Sequence, residues 1–162
     1  MGRNVIAAHF DRHWYTWAAF LCVVSVVWLT CPPRFGRNLR ASAKVNINHK
    51  FDTFIEQWSP KVIAEMNDYQ FKLARIEGDF VWHQHDETDE VFIVIEGDMA
   101  IDFEGGQSVE LSQGEMYVVP RGVLHKPTAR AECMIMLVEP RGVINTGDAE
   151  RGDLTAPNDA WV

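Results

Sequence analysis

The feature that most constrains this chain is a succession of short, β-prone apolar segments between residues 61 and 138. KVIAEM and YQFKLARI flank Asn67-Asp68, a hairpin-type turn. VFIVIEG, AIDF, SVELS, MYVV and CMIMLV follow, divided by turns such as Glu96-Gly97-Asp98 and Glu104-Gly105-Gly106. Strands this short, repeating about every ten residues, bury their apolar sides only as a sandwich or barrel. The expectation is an all-β fold. Its 162 residues suit one barrel, and 47% hydrophobic residues supply a core without covalent staples.

The ends differ from this middle. Phe51, Phe54, Ile55 and Trp58 follow i, i+3, i+4, i+7 spacing, which predicts a short amphipathic helix ended by Ser59-Pro60. Residues 14–33 carry no charged side chain, and their centre, WAAFLCVVSVVWLT, is continuously apolar. Three readings stay open for the 1–44 leader: a membrane anchor spanning 14–33, a secretory signal, or an extension upstream of the true start near Ala43. Flanking arginines, more numerous after the run, would keep the barrel cytoplasmic if it spans. The expected organisation is a leader at 1–44, a barrel at 45–141 and a polar arm at 142–162.

The net charge of −8 is unevenly distributed. Residues 1–44 hold six Lys/Arg against Asp11 alone, while the remainder holds nine against 22 Asp/Glu. So acidic a domain repels phosphate backbones, which argues against a nucleic-acid partner. Three cysteines form no even framework, and Cys133, within an apolar run, reads as an inert core thiol.

The chemistry concentrates in GDFVWHQHDETDEVFIVIEG. His83 and His85 lie two apart, so on a strand both imidazoles share a face. The acidic stretch 86–89 can turn the chain, so that Glu90 places a carboxylate beside them. Two neutral imidazoles and a carboxylate suit a first-row divalent ion. His125, after the Pro120-Arg121-Gly122 turn, could close the site from an adjacent strand.

These two segments resemble the paired motifs of the cupin superfamily. The first has Gly78, His83-x-His85, four residues, Glu90, six residues and Gly97; the second has Gly114, five residues, Pro120-x-Gly122, two residues and His125. With the flanking strands the resemblance covers roughly residues 45–140. Two departures stand out. Four residues rather than five separate Gly78 from His83, and Ala129 replaces an asparagine common in the second motif. Gly97, Gly114 and Gly122 also suit turn conformations.

The resemblance implies a jelly-roll β-barrel enclosing a divalent transition metal (Fe, Mn, Ni or Zn) on His83, His85, Glu90 and His125, with one or two open positions. It is similar to short single-domain cupins often labelled mannose-6-phosphate isomerase-like. Isomerase, dioxygenase and lyase chemistry on a small sugar derivative, organic acid or enol all belong to that range, as does a non-catalytic binding or sensing module. Polar candidates for contact with a small-molecule ligand are Tyr69, Lys72, Arg75 and Tyr117. Phe92, Met134 and Met136 are candidates for lining the interior. Val91, Ile93 and Ile95, on the other face of the Glu90 strand, call for a second layer or a homodimer partner, with Trp82 beside it.

Overall fold

The computed structural model describes residues 44–162. A five-residue helix, α1 (Ile47–Phe51), leads into seven strands: β1 (Lys61–Met66), β2 (Tyr69–Asp79), β3 (Glu90–Glu96), β4 (Asp98–Phe103), β5 (Ser108–Ser112), β6 (Met116–Val119) and β7 (His125–Pro140). All pairings between strands are antiparallel, in the order β1-β2-β7-β3-β6, with β4 bridging β7 and β5. This is the all-β arrangement that the strand pattern predicts, and it is consistent with the jelly roll that the resemblance implies. The leading apolar segment, including the candidate span 14–33, lies outside the described residues. Among the described residues no helix is long and apolar enough to cross a membrane.

β7 organises the barrel. It pairs with β2 along most of its length, with β4 near its start and with β3 further along. Alternation along these strands sorts side chains to two faces. Cys133, Ile135 and Leu137 of β7 join Ala74 and Ile76 of β2 and Phe92 and Val94 of β3 in the interior. Burial pushes the Cys133 thiol up to about 11, as befits an inert core group.

Met134 and Met136 do not line this interior. Leu137 stands opposite Phe92 and Ile135 opposite Val94, so the two methionines are one residue out of phase and face outward. There Met136 packs with Phe51, Phe54, Ile63 and Leu73, and Met134 lies against the same cluster. Ile93 and Ile95 also pack on it, so the N-terminal segment supplies part of the cover that their apolar face requires.

The helix is shorter and earlier than the spacing predicts. Asn46 caps it by accepting from the His49 N–H. Beyond Phe51 the carbonyls that would continue it are taken by Arg75, whose Nη2 donates to Phe51 O at 3.0 Å and Nε to Phe54 O at 3.1 Å. Phe51, Phe54 and Trp58 are buried as their spacing implies, but Ile55 is 84% exposed. Trp58, at φ 56°, turns the chain and stacks on Phe80.

Residues 142–162 return to the barrel. Val62 and Trp161 form a parallel bridge, with Val62 N donating to Ala160 O and Val162 N to Val62 O. Asn145 ties the arm together by donating to Trp58 O and Leu154 O while accepting from Ala156 N.

Candidate metal centre

Glu90 is the first residue of β3 and His125 the first of β7. His83 reaches them from the β2–β3 connection. It does not sit on a regular strand as expected; a single bridge to His125 positions it, with reciprocal N–H···O bonds of 3.0 and 2.9 Å. His85 is held by its carbonyl, which accepts from Gly122 N at 2.9 Å. Arg121 N donates to Asp89 Oδ1, so the turn of the second motif is stapled to the loop of the first. Asp86 accepts from Gln84. Thus the acidic loop 86–89 shapes the turn, with the Asp86 and Asp89 carboxylates bound to Gln84 and to the Arg121 N–H.

The four side chains converge and all are buried. Glu90 Oε2 lies 3.3 Å from His85 Nε2, 3.3 Å from His125 Nε2 and 3.9 Å from His83 Nε2. His83 Nδ1 is 3.1 Å from Val81 O, and His125 Nδ1 is 2.9 Å from Val123 O. A carbonyl only accepts, so each Nδ1 carries a proton and donates, which turns Nε2 toward Glu90; His125 Nε2 lies within hydrogen-bond distance of Glu90 Oε2. Nε2 is thus the atom that each ring would offer to an ion.

The electrostatics agree with this arrangement. Burial, the largest influence on His83, pushes its imidazole down to about 4 and keeps it neutral. For His85, burial acts downward but is outweighed by its contacts with Glu90, so its pKa rises. Burial works against the Glu90 carboxylate too, yet His125 and His85 hold it well below the usual range. A neutral imidazole, as at His83, and an ionised carboxylate, as at Glu90, are the forms that ligate a metal, and His85 would lose any added proton to an ion. His85 Nε2 is buried without a hydrogen bond, which marks a donor set awaiting an electrophile. The residues therefore fit a divalent ion.

Glu139 was not anticipated. It lies with His85 and Glu90 in a group whose ligand atoms are within 4.8 Å of one another, beside the His83, Glu90, His125 group. It continues the inward phase of Cys133, Ile135 and Leu137, and that phase is the signal that could have found it. Lys72, facing the same interior, pairs with it at 2.8 Å. Burial first and Glu90 second push the Glu139 carboxyl up to about 7, against the pull of Lys72.

The other sequence candidates are distributed differently. Phe92 faces the interior with its ring 6.1 Å from that of His125. Tyr117, opposite Phe92, packs against the core and beside Phe103. Arg75 faces outward, bound to Phe51, Phe54 and Glu132, so its role is to tie down the N-terminal segment. Tyr69 is exposed at the β1–β2 hairpin, opposite Met66 and Pro140. Met134 and Met136 point away, as described. The barrel interior beside His83 and Glu90 holds a cavity of about 30 Å³, also lined by Trp58, Phe92 and Asn145.

The cupin-domain family profile matches residues 71–139, a span that includes all four candidate ligands. The crystal structure of a cupin-2 domain containing protein from Shewanella frigidimarina is 61% identical, with a TM-score of 0.59, over 60% of this chain and 94% of that one. The chain belongs to the cupin family. The crystal structure of protein NMB1881 from Neisseria meningitidis is similar at 37% identity, covering 60% of this chain and 99% of that one, with a TM-score of 0.57. Bacillus subtilis YdbB, described as uncharacterized, is 34% identical over 77 residues, 48% of this chain and 68% of its own.

Proposed function

We propose that this cupin holds one divalent transition metal on His83, His85, Glu90 and His125 and acts as a small metalloenzyme on a small oxygenated molecule. The observation that carries this reading is the meeting of three buried imidazoles on one buried carboxylate, two of them turned so that Nδ1 meets a carbonyl and Nε2 meets Glu90. Imidazole and carboxylate together accept Fe, Mn, Ni or Zn, and ligand type alone leaves the choice among them to supply and geometry. A bound ion would supply Lewis-acid polarisation or a more acidic bound water. The protein's own contribution is to keep His83 neutral and Glu90 ionised and to surround them with apolar walls, chiefly Phe80, Phe92 and Leu137.

Protein loaded in turn with each metal should turn over one class among sugar derivatives, organic acids and enols, or take up oxygen with one of them. Loss of that turnover on chelation and its return with one metal is the expected result. Inactivity with every metal, despite tight small-ligand binding, would support a binding or sensing module instead. The cavity of about 30 Å³ holds roughly two waters, so on either reading a larger ligand enters only by displacing part of the lining.

A homodimer completes the proposal. Met116 and Val118 of β6 are exposed, beside Val91 of β3 on the face that the N-terminal segment leaves partly open.

A further inference from the structure

The interior is polar at one end only. Gln70 and Lys72 of β2 and Glu139 of β7 project into it in phase with the apolar core residues of their strands. All three are buried, Glu139 to 1% exposure. An apolar residue at 139 would simply extend the series Cys133, Ile135, Leu137. A buried carboxylate there needs a reason.

Its own surroundings do not fully satisfy it. Lys72 Nζ stands 2.8 Å from Oε1 as an ion pair and also donates to Val143 O at 3.4 Å. Neither Glu139 oxygen has a partner in hydrogen-bond geometry. Placed with His85 and Glu90, the carboxylate flanks the candidate metal centre on the His85 side. A second metal ion is a poor occupant, because the Lys72 ammonium is already beside the carboxylate and would repel it. A carboxyl oxygen without a hydrogen accepts, and neither Glu139 oxygen meets a donor in hydrogen-bond geometry, so what the group lacks is a donor.

We propose that Glu139, held by Lys72, accepts a hydrogen bond from a hydroxyl group of the small molecule taken at the metal centre, which makes the site select hydroxylated oxygen donors such as α-hydroxy carboxylates. This rests on the metal-centre reading. Lys72 orients the carboxylate through Oε1, which leaves Oε2 for the ligand. An ion held by His83, His85, Glu90 and His125 would leave the ligand's other oxygen to meet it. A molecule with the same metal-binding oxygens but no O–H leaves Glu139 buried and unsatisfied, and is disfavoured for that reason.

The test uses the full chain loaded with Co(II), whose visible spectrum reports ligand binding without any turnover. Glycolate and methoxyacetate are titrated in parallel; both can chelate, but only glycolate has a hydroxyl to donate. Wild type should prefer glycolate by about 10-fold or more, the range of a hydrogen bond to a charged group. The Lys72→Met, Glu139→Leu double variant removes the pair as a unit and should bind Co(II) normally with the preference gone. Should that variant fail to fold, the near-isosteric Glu139→Gln should cut the preference by roughly threefold or more, since the bond loses its charge. A preference unchanged in the folded variants, or absent in wild type, overturns the inference while leaving the metal centre intact. Wild type that gains no cobalt spectrum contradicts the metal reading itself.

Discussion

Among the single residues of the site, Glu90 has the most to do. It faces three imidazoles and is the anion that would offset the charge of an ion. Glu90→Gln keeps the shape but removes the charge, and should weaken metal affinity by about 100-fold or more, beyond the range typical of outer partners. Competition against a chromophoric chelator measures this, and affinity within threefold of wild type would exclude Glu90 as a ligand. His83 gives a separate prediction. Its pKa is depressed by burial from 6.5 to about 4, so below pH 6.5 the unfolded chain takes up a proton that the fold refuses. Its stabilising contribution to the metal-free protein is present above pH 6.5 and is lost as pH falls toward 4. Urea unfolding of metal-free wild type and His83→Asn at several pH values should show their difference shrinking over that window. The four candidate ligands were legible as residues because glycine and proline fix the motifs around them. Glu139 was not, since a lone glutamate before a proline has no such frame, and only the phase of β7 shows that it points inward.

The strands themselves are where sequence and structure agree best. β1, β5 and β6 have the limits that their apolar segments suggest, because turn residues bound each one closely. The disagreements have physical causes. CMIMLV lies wholly in the second half of a 16-residue strand whose first half is polar, so hydrophobicity alone understates the strand. A strand apolar on both faces also hides which face is inner, which is how Met134 and Met136 came to be placed inside. The helix prediction failed because apolar spacing reports burial without reporting backbone, and Arg75 takes the carbonyls that a helix would use. The return arm has a close approach that composition could not show. Gly147, at φ 51°, sits where a Cβ would collide with the Gln84 carbonyl and lie 3.2 Å from His85 Nδ1. Gly147→Ala should therefore destabilise by about 2 kcal/mol or more and loosen the His85 site. Gly152→Ala, where a Cβ meets nothing, should stay within about 0.5 kcal/mol of wild type. Equal effects in chemical denaturation would refute the account of how the arm docks.

At the scale of the molecule, one barrel wall is made by β2 and β7, and the candidate ligands enter from strand starts and one connecting loop. Core volume, tautomers and charge are thus set by the same few elements, which is why the motif spacing and the strand rhythm agree. The outer face of β3 and β6 should pair two copies of the chain. Val118→Asp, with Met116→Asp, should convert a dimer to a monomer in sedimentation without unfolding it, and a wild-type monomer at micromolar concentration would dismiss the dimer. The central claim is the metal centre, and its most direct measurement is elemental analysis of tag-free protein, wild type beside a His83→Ala, His125→Ala variant. One divalent transition metal per chain in wild type and little in the variant is the predicted result. No stoichiometric metal in wild type, together with equal binding of added metal by both proteins, would contradict it.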